Sequence, residues 1–116
     1  MKYLVAGLAL LLTACAEPAV EPGLKAIVGG RLEASFDAAP IPYSVIVIAG
    51  STIRAIGPQA TTPVPKGAET IAAKGKLVRP VPNDAKLAAG GPADLMLLDA
   101  ETRVPEKIMR AGEWVR

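Results

Sequence analysis

The stretch Ser44-Val45-Ile46-Val47-Ile48 (SVIVI) decides the fold class of this chain. Its last four side chains are all β-branched, a composition typical of strands, and it is the strongest strand signal in the sequence. Ala49-Gly50-Ser51 then turns the chain, and Thr52–Ile56 alternates between apolar and polar residues. The two segments therefore predict a β-hairpin, which Gly57-Pro58 ends.

Further short strands are predicted on both sides of this hairpin. Residues 26–32 predict one strand, which the pair Gly29-Gly30 interrupts with a bulge. Three more strands and a closing hairpin are predicted at Glu69–Ala72, Lys76–Arg79, Ala93–Asp99, and Lys107–Arg110 with Trp114-Val115. The chain has eleven prolines and eleven glycines, and no stretch after residue 23 has a long 3.6-residue apolar period. We therefore expect an all-β fold, a small sandwich or roll, with one helical turn at most, at Leu87–Ala89 in the surface connection 81–92.

The first fourteen residues have the pattern of a signal peptide. Met1-Lys2-Tyr3 is a short positive start, and Leu4–Leu12 is an apolar run of the usual length for the core of such a peptide. The run is too short to span a hydrocarbon layer, which takes about 20 residues. We expect residues 1–14 to form a signal helix that is removed from the mature protein.

The end of this segment, Leu12-Thr13-Ala14-Cys15, resembles a bacterial lipobox. The resemblance implies that the chain is cut before Cys15 and that this cysteine carries lipid. Several acyl chains, at about 0.8 kcal/mol per buried CH₂, hold a protein firmly on a membrane. The alternative is an ordinary secretory signal followed by a free thiol, since no second cysteine exists to form a disulfide. Ala16 after the cysteine resembles the outer-membrane sorting signal of Gram-negative lipoproteins, so the expected location is the cell envelope, on the periplasmic side of that membrane.

Residues 15–24 are predicted to be a tether, because 16–23 hold two prolines and two glutamates and bury nothing. The remaining residues, 25–116, suit one modest domain. Charge is almost balanced: the whole chain has 13 basic and 11 acidic side chains. It has no cluster of Lys and Arg interleaved with aromatic residues, which excludes nucleic acid as an expected partner.

Several motifs in residues 25–116 are similar to the amidohydrolase superfamily, and closest to its imidazolonepropionase-like branch. The N-terminal ones are Ala26–Leu32, Ile41–Val47, Ile53–Pro58 and Pro65–Pro80; the C-terminal ones are Gly91–Asp99 and Met109–Val115. In that family both chain ends build a small β-sandwich, the composite domain, and a metal-binding TIM barrel is inserted between them. The resemblance implies that residues 25–116 form such a composite domain.

The sequence departs from that family where the barrel should begin. The family continues after the position of Pro80 with a glycine, apolar residues, an aspartate and a His-x-His metal pair. Here Val81-Pro82-Asn83-Asp84-Ala85-Lys86 follows, and Gly90-Gly91-Pro92 comes a few residues later. The barrel is missing between about residues 81 and 91, and a short bridge could replace it without breaking the sheet.

The composition removes the usual catalytic groups. The chain has no histidine and one cysteine, whereas a catalytic zinc takes nitrogen or thiolate ligands. Asp94, Asp99 and Glu101 are expected to make hydrogen bonds at strand ends. Three serines, Ser35, Ser44 and Ser51, have no histidine base. We therefore expect no catalytic site, no metal and no cofactor. Lysine catalysis stays open, although no lysine lies in an apolar run, and Trp114 is expected to be a core or rim residue.

Three functions follow from these observations. The first is a lipid-anchored, non-catalytic β-module, either a pseudoenzyme or a binding or accessory protein of the envelope. The second is a detached subunit that completes a separate barrel protein, which predicts an apolar face larger than a few hundred Å². The third is a metal-dependent hydrolase of non-peptide C–N bonds, against which the missing histidines count.

Overall fold

The computed structural model describes residues 23–116, and in this range the chain forms strands and no helix. Nine strands are present there: β1 Leu24–Val28, β2 Arg31–Leu32, β3 Ser44–Ala49, β4 Thr52–Pro58, β5 Glu69–Ala72, β6 Lys76–Pro80, β7 Leu95–Asp99, β8 Pro105–Arg110 and β9 Glu113–Trp114. The predicted all-β class is confirmed. The predicted signal helix and the tether residues before Gly23 lie outside the described residues.

The strands form two sheets. Sheet A has the order β4-β3-β1-β5, and sheet B has the order β2-β6-β7-β8-β9. Both sheets are mixed, because β1 pairs in parallel with β5 and β2 pairs in parallel with β6. The predicted hairpin is confirmed as β3 and β4, whose register runs from Ser44↔Pro58 to Ala49↔Thr52 with a bulge at Val47/Ile48.

The glycine pair Gly29-Gly30 moves the chain from sheet A to sheet B. The prediction of one bulged strand over residues 26–32 was therefore wrong: β1 and β2 are separate strands in different sheets. Gly29 has φ of +89°, and a Cβ on Gly30 would lie 2.9 Å from Cγ2 of Val78. Glycine suits the backbone conformation at position 29, and at position 30 it permits the close approach to β6.

A second crossing lies beside the first. Strands β5 and β6 belong to different sheets although only three residues, 73–75, separate them. Ala73 is fully buried, and its backbone N–H donates to the carbonyl of Val28 at 2.8 Å. The two crossings tie the sheets together along one corner of the sandwich.

The central strand β3 is buried on both faces. Ile46 and Ile48 belong to the core between the sheets, while Val45 and Val47, which point the other way, are 0% and 2% exposed. The topology identifies the segment that covers Val45 and Val47. β4 and β5 are the two edge strands of sheet A and run in the same direction, so residues 59–68, which connect them, must cross one face of the sheet. Sheet B occupies the inner face. The segment therefore crosses the outer face, where Oγ1 of Thr62 lies 2.8 Å from the position of a Cβ on Gly57.

The two ends of the chain meet in sheet B. β6 pairs antiparallel with β7, and the pairing extends to Pro80↔Leu95, so strands from before and after the connection 81–92 are neighbours. The connection between them is docked on the sandwich. Leu87 is 4% exposed within the core, and Gly90 and Gly91 exchange backbone hydrogen bonds with Ile53 of β4, both at 2.8 Å. The connection lies at the surface as predicted, since only Leu87 of residues 81–92 is buried, and no helical turn forms at 87–89.

Candidate functional site

The most concentrated group of charges in the described residues surrounds Glu33. Its Oε1 accepts a hydrogen bond from Nη1 of Arg79 at 2.5 Å, and its Oε2 accepts one from Nη2 of Arg103 at 3.3 Å. Nε of Arg31 lies 3.8 Å from the same Oε2. One carboxylate thus faces three guanidinium groups, an arrangement referred to below as the Glu33 cluster.

Strand register explains how the cluster forms. Leu32 and Val78 are paired in the β2–β6 ladder and both face the core. Side chains alternate along a strand, so the flanking Arg31, Glu33 and Arg79 lie on the outer face of sheet B. The N–H of Glu33 extends the ladder by donating to the carbonyl of Val78 at 3.0 Å.

The members of the cluster differ in exposure and in the number of their partners. The side chains of Glu33 and Arg79 are each 13% exposed. Each nitrogen of Arg79 has a partner, because Nε donates to Oδ1 of Asn83 at 2.9 Å and Nη2 to its carbonyl at 3.5 Å. The side chains of Arg31 and Arg103 are 55% and 57% exposed, and Glu33 is the acidic partner of both. Arg79 is therefore the buried partner of Glu33, whereas Arg31 and Arg103 contact the same carboxylate with more than half of each side chain exposed.

A tight turn presents Arg103 to the cluster. Oδ1 of Asp99 accepts hydrogen bonds from the backbone N–H groups of Glu101 and Thr102, both at 2.9 Å. Arg103 follows with φ of +62°, a conformation that few residues other than glycine adopt, and donates its N–H to the carbonyl of Asp99 at 2.8 Å. The bonds from Thr102 and then Glu101 lower the pKa of Asp99, so its ionised form holds the turn.

The predicted acidic residues do not converge. Asp94 accepts a hydrogen bond from the N–H of Ala111 at 2.7 Å and lies 3.8 Å from Nε of Arg110. Asp99 serves its own turn, and Glu101 is exposed. Over residues 23–116, no three side chains of the metal-binding types His, Cys, Asp and Glu come together.

The serines and lysines have structural surroundings. Ser44 is buried, and its Oγ donates to the carbonyl of Gly30 at 2.8 Å, beside the crossing between the sheets. Oγ of Ser35 donates to Oδ1 of Asp37 at 2.9 Å, and Ser51 is exposed. Nζ of Lys76 lies 2.6 Å from Oε1 of Glu106, and this hydrogen bond raises the pKa of Lys76. A lysine held protonated in this way is a poor base.

Trp114 packs against the core and is partly buried, as expected for a core or rim residue. Nζ of Lys107 lies 5.0 Å from its ring centroid, within cation–π distance. These contacts hold β9 against β8 and give the tryptophan a structural role.

The predicted lipobox residues, Leu12, Thr13, Ala14 and Cys15, lie outside the described residues. Between Gly23 and Arg116 the chain has no helix with the length and apolar character needed to cross a bilayer.

The sequence reasoning missed the Glu33 cluster because its members come from distant parts of the chain. Glu33 and Arg79 are 46 positions apart, and Glu33 and Arg103 are 70 apart. Charged and apolar residues alternate in Arg31-Leu32-Glu33 and in Val78-Arg79. If the apolar residues of a strand face the core, this alternation places the charged side chains on the other face of the sheet.

Comparison with known proteins gives no family for this chain: no family model matches it, and no curated protein matches it.

Proposed function

We propose that this protein is a lipid-anchored, non-catalytic β-module of the bacterial envelope, with Cys15 as its point of attachment. In this proposal residues 25–116 are the composite domain of an amidohydrolase-like ancestor without its barrel. The domain acts by binding, and the anchor keeps it at the membrane surface.

The observation that carries the proposal is the β6–β7 ladder. Strands from before and after the expected barrel position pair up to Pro80↔Leu95, and the N–H of Val81 donates to the carbonyl of Asp94 at 3.0 Å. The residues between them are docked through Leu87 and Gly90-Gly91. A composite domain closed in this way has a continuous sheet and needs no barrel to complete it.

The ionisable groups of the domain favour binding over catalysis. Ser44 donates its hydroxyl proton to a backbone carbonyl, and Lys76 is held protonated by Glu106. Asp94 and Asp99 accept hydrogen bonds from backbone N–H groups. Ser44, Asp94 and Asp99 hold a crossing, a strand end and a turn, and the Lys76 ammonium is engaged by the Glu106 carboxylate.

The position of β1 suits a membrane tether. β1 begins at Leu24, which is buried, so the folded part starts one residue earlier than predicted, at the last residue assigned to the tether. An extended tether from Cys15 to Leu24 reaches about 30 Å, because a chain spans at most about 3.3–3.6 Å per residue. That length separates the sandwich from the headgroups without leaving it free of the surface.

The test is membrane fractionation of cells that express either the natural chain or Cys15→Ser. We expect the natural chain in the membrane fraction, with the mass of a processed and acylated protein. The variant should keep its signal peptide and should lack the added mass of the acyl chains. Ala19→Ser in the tether is the matched control and should behave like the natural chain. Equal processing and acyl mass for Cys15→Ser would refute the anchor.

A second measurement tests the absence of catalysis. Purified protein incubated with Zn²⁺ is expected to hold less than stoichiometric metal after dialysis and to leave cyclic amides intact. Stoichiometric zinc together with turnover would establish a hydrolase and refute the non-catalytic module, whatever the result for Cys15.

A further inference from the structure

We propose that Arg31 and Arg103 form a binding site for a phosphate group on the outer face of sheet B, at the Glu33 cluster. The site is separate from the membrane anchor, and its proof or failure leaves the proposed attachment at Cys15 unaffected.

The geometry suits a ligand that takes two hydrogen bonds. Nε of Arg31 and Nη2 of Arg103 lie 3.8 Å and 3.3 Å from the same carboxylate oxygen, so these two nitrogens are no more than about 7 Å apart. Hydrogen bonds to phosphate oxygens are about 2.7–2.9 Å long. A phosphate beside the two guanidiniums can therefore accept from both, through N–H groups other than the one that Arg103 donates to Glu33, because each guanidinium has five N–H donors.

Local charge also favours an anion. The cluster combines three guanidiniums with the single carboxylate of Glu33, and Arg79 uses its donors on Glu33 and Asn83. The other acidic groups near in sequence are Asp37, Asp84, Asp99, Glu101 and Glu106. Within residues 23–116, the ion pairs of the three arginines are with Glu33, whereas Glu106 pairs with Lys76. Two positive charges thus remain in excess at the cluster, which matches a dianionic phosphate better than a single carboxylate.

A purely structural role does not explain the two exposed arginines. Surface ion pairs at such distances contribute little to stability, because water screens them and holding the side chains costs entropy. Arg103 moreover occupies a left-handed backbone conformation, and the Asp99 turn directs it toward the cluster. A guanidinium group can bind phosphate through two hydrogen bonds at once, and a side chain that is held in position is suited to such bidentate binding.

The test is titration of the purified full-length chain with inorganic phosphate at pH 7.5 and low salt. Low salt is required because exposed charges are screened over about 8 Å at physiological ionic strength. Binding is followed through the NMR signals of the arginine Nε–H groups. We expect saturable binding that Arg31→Gln or Arg103→Gln weakens by about tenfold.

Arg110→Gln is the matched control. The side chain of Arg110 is 55% exposed and lies 3.8 Å from a carboxylate oxygen, as that of Arg31 does, but it belongs to the Asp94 turn. This variant should bind phosphate within twofold of the natural chain. Thermal unfolding followed by circular dichroism should show that all three variants stay folded.

A parallel titration with glycerophosphoglycerol, the water-soluble headgroup of an anionic lipid, identifies the source of the phosphate. Tighter binding of inorganic phosphate indicates a free phosphate monoester, whereas equal or tighter binding of the diester indicates a lipid headgroup. Either result supports the site, provided that the Arg31 and Arg103 variants lose the binding. No saturable binding of either probe, or an equal loss in Arg110→Gln, would overturn the proposal.

Discussion

Replacing Gly112 by alanine should separate the closing hairpin from the β3–β4 turn. A Cβ on Gly112 would collide with the carbonyl oxygen of Gly50, and it would lie 3.0 Å from the carbonyl carbon of Gly50 and 3.2 Å from Cα of Ser51. These are backbone atoms, so no side chain can rotate away to make room. Gly112 also has φ of +80°, which costs an alanine about 1–2 kcal/mol. Overpacking adds about 1–3 kcal/mol, so the expected total is about 2–5 kcal/mol.

The assay is urea unfolding, followed by both Trp114 fluorescence and circular dichroism. Trp114 is the only tryptophan and lies in β9, so its emission reports the hairpin, while circular dichroism reports the whole domain. Gly75→Ala and Gly90→Ala are matched controls, because both glycines have similar positive φ and nothing within 4 Å of the place that an added methyl carbon would take. The free energy of unfolding of the controls should fall by the backbone cost alone, about 1–2 kcal/mol. If Gly112→Ala lost no more stability than Gly75→Ala, the close contact with Gly50 would be wrong.

Four further predictions concern the turns and polar contacts. Ala111→Asn should raise the free energy of unfolding by about 0.5–1 kcal/mol, because Ala111 has φ of +50° in a two-residue turn that favours Asn-Gly; an unchanged urea midpoint would contradict this. Ser44→Ala should lose about 1 kcal/mol with its buried hydrogen bond to Gly30, whereas exposed Ser51→Ala should change little, and equal effects would argue against the bond. Glu33→Gln should cost about 1–3 kcal/mol through the loss of the charged partner of Arg79, and a neutral effect would refute that role. Hydrogen bonds from the N–H groups of Thr102 and Glu101 lower the pKa of Asp99. Its contribution to stability is therefore complete above the ordinary carboxyl pKa and is lost as the pH falls through the lowered value. Asp99→Asn should remove this pH dependence from acid unfolding curves, and curves parallel to those of the natural chain would count against the turn.

Local sequence predicted most strands because their signals are local. SVIVI became β3, and Thr52 began β4 as expected, since β-branched residues and a Gly-Ser turn act over a few positions. The strand continues through Gly57-Pro58, which the sequence marked as its end. β4 is an edge strand of sheet A, so Pro58, which has no backbone N–H, can extend it without depriving a further strand of a donor.

Partner choice between strands was much less predictable. Lys74-Gly75 has the composition of a hairpin turn, yet β5 and β6 pair with β1 and β7 in different sheets. The decisive feature is the burial of Ala73 at the crossing, which depends on residues far away in sequence. The Glu33 cluster was missed for the same reason, since its charges meet only after β2 has paired with β6. The hydrogen-bonding roles of Asp94 and Asp99 were predictable, because each follows from a position at the end of a strand.

The distribution of the strands has a consequence for biosynthesis. All four strands of sheet A are translated by Ala72, whereas three of the five strands of sheet B come after Pro92. A nascent chain that has reached Pro80 can thus pair sheet A while Ile27, Ile46 and Ile48 still lack three of the five strands of the covering sheet. Such a partly folded intermediate exposes an apolar surface through which it can associate with other chains. Stalling or truncation in this interval should therefore yield aggregates, and export before folding would protect the protein from that fate.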